Sequence, residues 1–405
     1  MNRLIGFGCL VLYFTSAAAF QIEAAYSYTQ VIGTNPAVIE ISKGKEPAYP
    51  PPLLNKEPNH QVMAIESVKL GQANSGKSDA ACETKNEQWN SYFSVPKGSA
   101  VSIGMCCHRG VDSRWCDPLI EEEEKDKIFV NALVKDSAPF ITGSVWPDDP
   151  CHMLAREETN KIFGGWITSD PSSGNNLFYS SHFHDFQFMH SMAASAWTSN
   201  WKTKKESPED ANTTRHKIQT WAEFAFKVAD GTIDARKTLS DAESHLSGTA
   251  QRTFHIVFSS YSNRTVAEFF TGWTGAPAEQ VRQIAAGSLL HTVQDSFSDS
   301  HADRKSFPDK KIKRFSDYKT QYRGTHSLAD QAPPELLQPQ PLLDYHPISM
   351  GAQLLSCVIA RATDENSHWD QSAAKIVTNI FERPEGLKQN LAAHPRGYEE
   401  KRPRR

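Results

Sequence analysis

Apolar residues recur with helical spacing in the larger, second part of the chain, after about residue 125. One stripe at i, i+3, i+7 and i+10 predicts an amphipathic helix and consists of Ile218, Trp221, Ala225 and Val228. Residues 347–362 predict a second, buried helix, whose apolar positions are Leu354, Leu355, Val358 and Ile359. Strand-like alternation is scarce in this part, which indicates a helical domain.

A third helix is predicted after Pro277, a residue that fits the first turn of a helix. One face of this helix carries apolar side chains first and polar side chains later, in the order Val281, Ile284, Ser288, His291 and Asp295.

The first part of the chain shows no such period. Residues 20–125 are rich in Pro, Gly, Ser and Asn, and only short stretches such as 37–41 alternate in the manner of a strand. We therefore predict an all-α domain over residues 126–385, preceded by a smaller, irregular region with short strands over residues 20–125. Residues 386–405 form a basic tail, which we predict to be flexible.

Residues 1–19 have the three parts of a secretory signal peptide. Arg3 supplies the positive charge, an apolar run follows, and Ser16 to Ala19 offers small residues for cleavage. We therefore expect the protein to be secreted. The formal net charge of −4 gives no support to nucleic-acid binding through bulk electrostatics.

Six of the seven cysteines lie outside the predicted signal peptide, and five of those six fall between positions 82 and 151. An even number of cysteines in an exported protein favours disulfides, so we predict that the irregular region is cross-linked. The six are Cys82, Cys106, Cys107, Cys116, Cys151 and Cys357. A metal site built from Cys106, Cys107, His108 and Cys116 is the alternative, and the sequence does not give the connectivity.

The strongest chemical motif is H-x3-D-x5-H, formed by His291, Asp295 and His301. A second H-x3-D follows at His326 and Asp330. A His and an Asp four residues apart share one helix face, and imidazole and carboxylate are ligand types that hold zinc. A single histidine on an apolar helix face is usually a core residue, but five such residues within forty positions favour a metal site.

Two upstream stretches add further candidates, although each is weak by itself. Residues 143–150 end in Asp148, Asp149 and a proline, and residues 179–185 contain Tyr179 and His182. His190 follows a few positions later.

In this order, the motifs resemble those of the bacterial zinc-dependent phospholipases C and of the related single-strand-specific zinc nucleases. The resemblance covers residues 145–332, about half of the mature chain, and Gly143 just precedes it. The matching positions are Gly143 with Asp148, Ser181-His182-Phe183, the His291–His301 motif, and Gly324-Thr325-His326-Ser327 with Asp330. The resemblance implies a multi-helix zinc-dependent catalytic domain.

The resemblance also implies a set of ligands for zinc. One zinc ion would be held by Asp148, His182, His291 and Asp295, and a second by His301, His326 and Asp330. The family's third zinc uses an N-terminal Trp and a nearby His, whereas this chain has Phe20 after the signal peptide and its first histidine at His60. Residues 59–62 could supply that His, and Asp295 would then bridge two metals.

The implied function is that of a secreted phospholipase C, which cleaves phospholipid at a membrane surface to diacylglycerol and a phosphorylated head group. Asp148 would act both as a ligand and as the general base for water. Tyr179 would face a choline cation, while Asp149 replaces a second aromatic and could pair with a cationic head group. Phosphatidylcholine is therefore the expected substrate; the favoured reading includes no nucleic acid, and no stable protein partner is inferred.

Two other functions remain open at this point. A zinc-dependent single-strand nuclease or 3′-nucleotidase would share the same architecture, although the chain shows no basic stripe to support it. A non-catalytic secreted protein braced by zinc is the third reading, but structural zinc sites are usually closed sets of Cys and His rather than mixed His and Asp.

Overall fold

A computed structural model describes residues 26–31, 38–43, 59–77, 81–93, 139–144, 146–147, 181, 185–194, 209–271, 274–298, 300–304, 311–317, 345–361 and 369–383. These residues are mostly helical, as the predicted all-α class requires. The α-helices are α1 (Asn59–Ala73), α2 (Asn86–Phe93), α3 (Pro139–Gly143), α4 (Ala211–Ala229), α5 (Leu239–Glu243), α6 (Gly248–Phe258), α7 (Val266–Thr271), α8 (Ala278–Asp295), α9 (Pro347–Arg361) and α10 (Ala374–Ile380). Short 3-10 helices at Gln187–His190 and Ser259–Tyr261 and a π-helical turn at Trp369–Ala373 complete the helical part.

Helix α8 is the centre of the fold. Every residue from Gln280 to Asp295 except Arg282 is buried, and the helix packs against α3, α4 and α9. This arrangement confirms the three helices predicted from apolar spacing. Pro277 stands at the N-cap, one position before the first turn in which it was expected.

Aromatic side chains fill the space between α4, α6 and α7. The indole of Trp221 lies 6.0 Å from that of Trp146 in a stacked arrangement, and Phe224 stacks on Phe270 at the same separation. Burying each of these large rings stabilises the fold by about 1.5–3 kcal/mol or more. Together they fix α4 against the central helix. The Nε1 group of Trp221 also donates to Thr292 Oγ1 over 3.1 Å, next to the first ligand candidate of α8.

The prediction of irregular structure in the N-terminal region is wrong for two segments, because α1 and α2 are regular helices. Helix α1 packs against α9, where the buried Ser67 hydroxyl donates to the carbonyls of Met63 and Ile348. A disulfide joins Cys82 to Cys357 in α9, as the sequence had allowed. The pattern missed α1 because polar and small residues such as Ser67 and Gly71 occupy some of its buried positions, so its apolar residues form no single stripe.

The strands are short and few among the described residues. Strands β1 (Tyr26–Val31) and β2 (Val38–Lys43) pair antiparallel in the N-terminal region, where short strands were expected. Strands β3 (Ala302–Arg304) and β4 (Ile312–Phe315) form a second antiparallel pair that begins directly after His301.

Several sequence predictions lie outside the described residues. These are the signal peptide, the basic tail and the cysteines at 106, 107, 116 and 151. Within the described part, no helix is long and apolar enough to cross a membrane.

Candidate metal centre

Four histidines and one aspartate from different segments meet at the end of α8. His60 comes from α1, His190 from the 3-10 helix, His291 and Asp295 from α8, and His301 from the turn before β3. All five are fully buried. Buried ionisable groups are expensive unless they are paired or bind a metal, so this concentration marks the candidate site.

The carboxylate of Asp295 lies at the centre of the cluster and uses both of its oxygens. Oδ1 lies 3.3 Å from Nε2 of His60. Oδ2 lies 2.9 Å from Nε2 of His291, 3.0 Å from Nδ1 of His190 and 3.4 Å from Nδ1 of His301. Two groups that could hold a metal ion therefore share Asp295: His60 with His291, and His190 with His301.

Hydrogen bonds to neighbouring oxygen atoms set the tautomers of three rings. Nδ1 of His291 donates to the carbonyl of Ser144 over 2.9 Å, and Nδ1 of His60 donates to Oε1 of Gln294 over 2.6 Å. In these two rings Nε2, the atom that faces Asp295, is left as the electron-pair donor, which is the arrangement that orients histidine ligands in metal sites. Nδ1 of His301, the atom 3.4 Å from Asp295, donates to the carbonyl of His190 over 2.6 Å.

The separations within the cluster match those between metal ligands. Ligand atoms at about 2.0–2.1 Å from a tetrahedral zinc ion lie about 3.3 Å from one another. Nε2 of His291 lies 3.0 Å from Nδ1 of His190 and 2.9 Å from Asp295. Three atoms that can each offer an electron pair thus converge on one point, and a cation there would satisfy all of them.

The protonation states also suit a metal. Burial lowers the pKa of His60, and it lowers the pKa of His190 to about 4, so both rings are neutral at pH 7. Burial works against ionisation of Asp295, but the electrostatic influence of His291 and His301 and the side-chain contacts with His190 and His291 outweigh it and hold the pKa of this carboxyl well below its usual value. Neutral imidazoles and an ionised carboxylate are the forms that bind metals.

The segment that carries His190 is held by three hydrogen bonds, two to α8 and one to the turn before β3. Thr292 Oγ1 donates to the carbonyl of Met189 over 2.8 Å, Ser191 Oγ donates to the carbonyl of Thr292 over 2.6 Å, and the bond from His301 to the His190 carbonyl is the third. Ser191 has a φ of 52°, a left-handed conformation that is costly for a residue other than Gly, Asn or Asp. The hydrogen bond from the Ser191 hydroxyl to the Thr292 carbonyl offsets that strain, directly after the candidate ligand His190.

Two glycines allow α3 to cross α8 at backbone contact. A Cβ atom added to Gly143 would lie 2.1 Å from the carbonyl oxygen of Ile284, and one added to Gly287 would lie 2.1 Å from that of Phe140. This close crossing brings the carbonyl of Ser144 to His291. The Gly143 position of the family resemblance therefore has a physical role in orienting a ligand.

The structure brings together three of the seven metal ligands expected from the sequence, namely His291, Asp295 and His301. The other four, Asp148, His182, His326 and Asp330, lie outside the described residues, as do Tyr179 and Asp149. His301 had been assigned to a zinc ion separate from that of Asp295, whereas here its Nδ1 lies 3.4 Å from the Asp295 carboxylate.

The sequence did not assign His190 to the centre and offered His60 only as an open choice. Both follow a common local pattern, because each histidine is embedded among apolar residues that turn out to be buried. Met63 and Ala64 lie one turn after His60, and Phe186, Phe188 and Met189 precede His190. Comparisons of the chain with models of known protein families, with curated proteins and with solved structures found no match.

Proposed function

We propose that the five-residue cluster binds two zinc ions and that the protein is a secreted zinc-dependent phosphodiester hydrolase of the phospholipase C type. The observation that carries the proposal is the shared carboxylate of Asp295. Its Oδ1 faces His60 and its Oδ2 faces His190, His291 and His301. A carboxylate placed between two histidine groups in this way is suited to bridge two metal ions.

Zinc fits this set of donors better than the hard cations do. Calcium and magnesium prefer ligand sets made of oxygen atoms, whereas four imidazoles and one carboxylate suit zinc and its neighbours in the transition series. Each of the two candidate groups has three residues. Mixed His and Asp ligands, rather than a closed set of Cys and His, are typical of catalytic rather than structural zinc.

Zinc, when bound, lowers the pKa of water to about 7 and neutralises charge on a phosphoryl group. The chain's own residues hold and orient that chemistry. Asp295 supplies the negative charge, and the Ser144 carbonyl, Gln294 and the His190 carbonyl fix the rings of His291, His60 and His301. Asp148 remains the proposed general base, and Tyr179 and Asp149 remain the proposed contacts to the head group.

The position of His190 extends the proposed ligand set. Its Nδ1 lies 3.0 Å from Asp295 Oδ2, and we propose it as a ligand that shares Asp295 with His301. We propose His60 as the histidine that shares Asp295 with His291. Asp148, His182, His326 and Asp330 stay proposed ligands from the resemblance.

One experiment tests both the metal and the reaction. Purified protein is analysed for zinc and assayed on phosphatidylcholine vesicles and on single-stranded DNA, each with and without a chelator. We expect about two zinc ions per chain and chelator-sensitive release of phosphocholine. Less than one zinc per chain would refute the metal centre, whereas zinc with hydrolysis of DNA alone would refute the lipid substrate and favour the nuclease.

A pair of matched variants tests whether zinc content and hydrolytic activity depend on the same residue. Asp295→Asn should lose zinc and activity together. Asp234→Asn alters an aspartate that pairs with Arg236 at the surface, and it should retain both. Equal activity in the two variants would show that Asp295 is not part of a catalytic centre.

A further inference from the structure

Arg383 is a buried arginine at the end of the last described segment. The backbone N–H of Ile312 donates to the carbonyl of Glu382 over 2.8 Å, which sets this segment beside β4. Nη2 of Arg383 donates to the carbonyl of Lys313 over 2.9 Å. Only 7% of the residue is exposed, so its guanidinium group is removed from solvent.

The remaining donors of Arg383 are not used within the described part of the chain. Its Nε and Nη1 atoms are buried and have no hydrogen-bond partner there, and the buried Nε of Arg215 is in the same state. Arginine stays protonated in proteins. A buried guanidinium with unused donors is costly unless a negatively charged group completes it.

The nearby carboxylate of Asp210 is already engaged. Its Oδ1 accepts from the backbone N–H groups of Asn212 and Thr213, and its Oδ2 accepts from the Thr213 hydroxyl. Asp210 is therefore the N-cap of α4. Glu209, the residue before it, forms an ion pair with Lys217 at 2.5 Å.

The local field around Arg383 is positive. Arg383 has a lowered pKa, first because of burial and then because the charge of Arg215 lies close by, while Asp210 opposes the shift. Arg215 stands near the start of the 19-residue helix α4, whose N-terminal end adds positive partial charge. Arg383 thus lies within electrostatic reach of Arg215, and the carboxylate of Asp210, which also acts on it, is already hydrogen-bonded within its own helix cap.

We propose that Arg215 and Arg383 form a binding site for a small tetrahedral oxyanion of the phosphate class. The unused N–H donors of the two guanidinium groups supply the charge-assisted hydrogen bonds that such an ion takes. The site joins the N-terminal end of α4 to β4 and to the segment that ends at Arg383. Neither arginine belongs to the metal centre, so the inference does not depend on the proposed function.

Inorganic phosphate is the probe for this site. Its binding to the full chain is measured by calorimetry and by the rise in Tm, with sulfate and acetate as parallel arms. Phosphate at ten times its Kd should raise the Tm by about 3 °C, sulfate should do the same, and acetate should have less effect. No rise in wild-type Tm with phosphate or sulfate would overturn the proposal.

Variants separate this site from the metal centre. Arg383→Gln should weaken phosphate binding about tenfold or more, and Arg215→Gln should do so while leaving the Arg383–Lys313 contact in place. Arg236→Gln, which changes an arginine paired with Asp234 at the surface, should bind phosphate as the wild type does. Binding that survives both site variants but is lost in Asp295→Asn would place the anion at the metal centre and refute the inference.

Discussion

Replacing Gly287 by alanine tests how the fold orients a metal ligand without touching the ligand itself. A Cβ atom at this position would lie 2.1 Å from the carbonyl oxygen of Phe140 and 2.5 Å from the backbone nitrogen of Ser144. Ordinary van der Waals contact begins at 3.4 Å. Helix α3 would therefore have to move away from α8 by about 1.3 Å, because a backbone cannot rotate aside as a side chain can.

The size of the effect follows from two opposing terms. Overpacking a tight contact costs about 1–3 kcal/mol, and a backbone overlap belongs at the upper end of that range. Alanine gains about 1 kcal/mol over glycine inside a helix. The free energy of unfolding should therefore fall by about 2 kcal/mol, which corresponds to a fall in Tm of about 4 °C.

The same movement would break a bond to the metal centre. The Ser144 carbonyl lies 2.9 Å from Nδ1 of His291, and a shift of about 1.3 Å would take it beyond hydrogen-bond distance. Loss of an outer partner of a histidine ligand typically lowers metal affinity by about 10- to 100-fold. We therefore expect Gly287→Ala to lose both stability and zinc affinity.

Zinc affinity is measured by competition with a chromophoric chelator, and stability by thermal unfolding of the metal-free and zinc-loaded protein. Gly248→Ala is the control, because nothing lies within 4 Å of the added Cβ. A Gly287→Ala variant with wild-type Tm and wild-type zinc affinity would show that the crossing of α3 and α8 does not orient His291.

Three further predictions concern single contacts of the centre and its supports. Gln294→Ala removes the acceptor of His60 Nδ1 and should lower zinc affinity by about 10-fold or more in the same competition assay, and unchanged affinity would exclude His60 as an oriented ligand. Ser191→Ala keeps the left-handed backbone but loses the bond to Thr292, so thermal unfolding should show a loss of about 1 kcal/mol or more, and an unchanged Tm would contradict this. Cys82→Ser should destabilise the oxidised protein by about 3–5 kcal/mol in denaturant unfolding, and wild-type stability would mean that the bond to Cys357 contributes nothing.

The helices that the sequence predicted are those with one apolar stripe. Helix α4 carries Ile218, Trp221, Ala225 and Val228 on its core face, and all are buried. Helix α8 follows the same rule over its first turns. In both, the period of 3.6 residues is visible because apolar residues recur on one face while polar residues occupy other positions, although α8 is buried on nearly every side.

Helix α1 escaped prediction because its environment is set by distant residues. Ser67 is buried and satisfied by the carbonyl of Ile348, which lies 281 positions later in the chain. Gly71 allows close approach of Trp89, whose ring would collide with a Cβ at 2.1 Å. A short window of sequence around α1 contains neither Ile348 nor Trp89. The polar and small residues of α1 therefore suggest a loop when the sequence is considered locally.

The candidate metal centre was predictable only where both partners lie on one helix. His291 and Asp295 are four residues apart, and helix geometry alone brings Nε2 of the first to 2.9 Å from Oδ2 of the second. His190 and His60 stand 105 and 235 positions before Asp295, so only tertiary structure brings them to it. The resemblance to a known family supplied the idea of an N-terminal histidine, but no local pattern assigned His190 to the cluster.

The centre also couples the N-terminal segment to the stability of the whole domain. His60 reaches Asp295 only because α1 is fixed on α9, by Ser67 bonded to the Ile348 carbonyl and, beyond the helix, by the Cys82–Cys357 disulfide. A ligand that binds only the folded state stabilises it in proportion to RT ln(1 + [L]/Kd). Zinc should therefore protect α1 against local opening, and in hydrogen exchange a chelator should deprotect α1 together with the last turn of α8. Protection of α1 that is unaffected by metal removal would mean that α1 is held by packing and the disulfide alone and that His60 contributes no ligand.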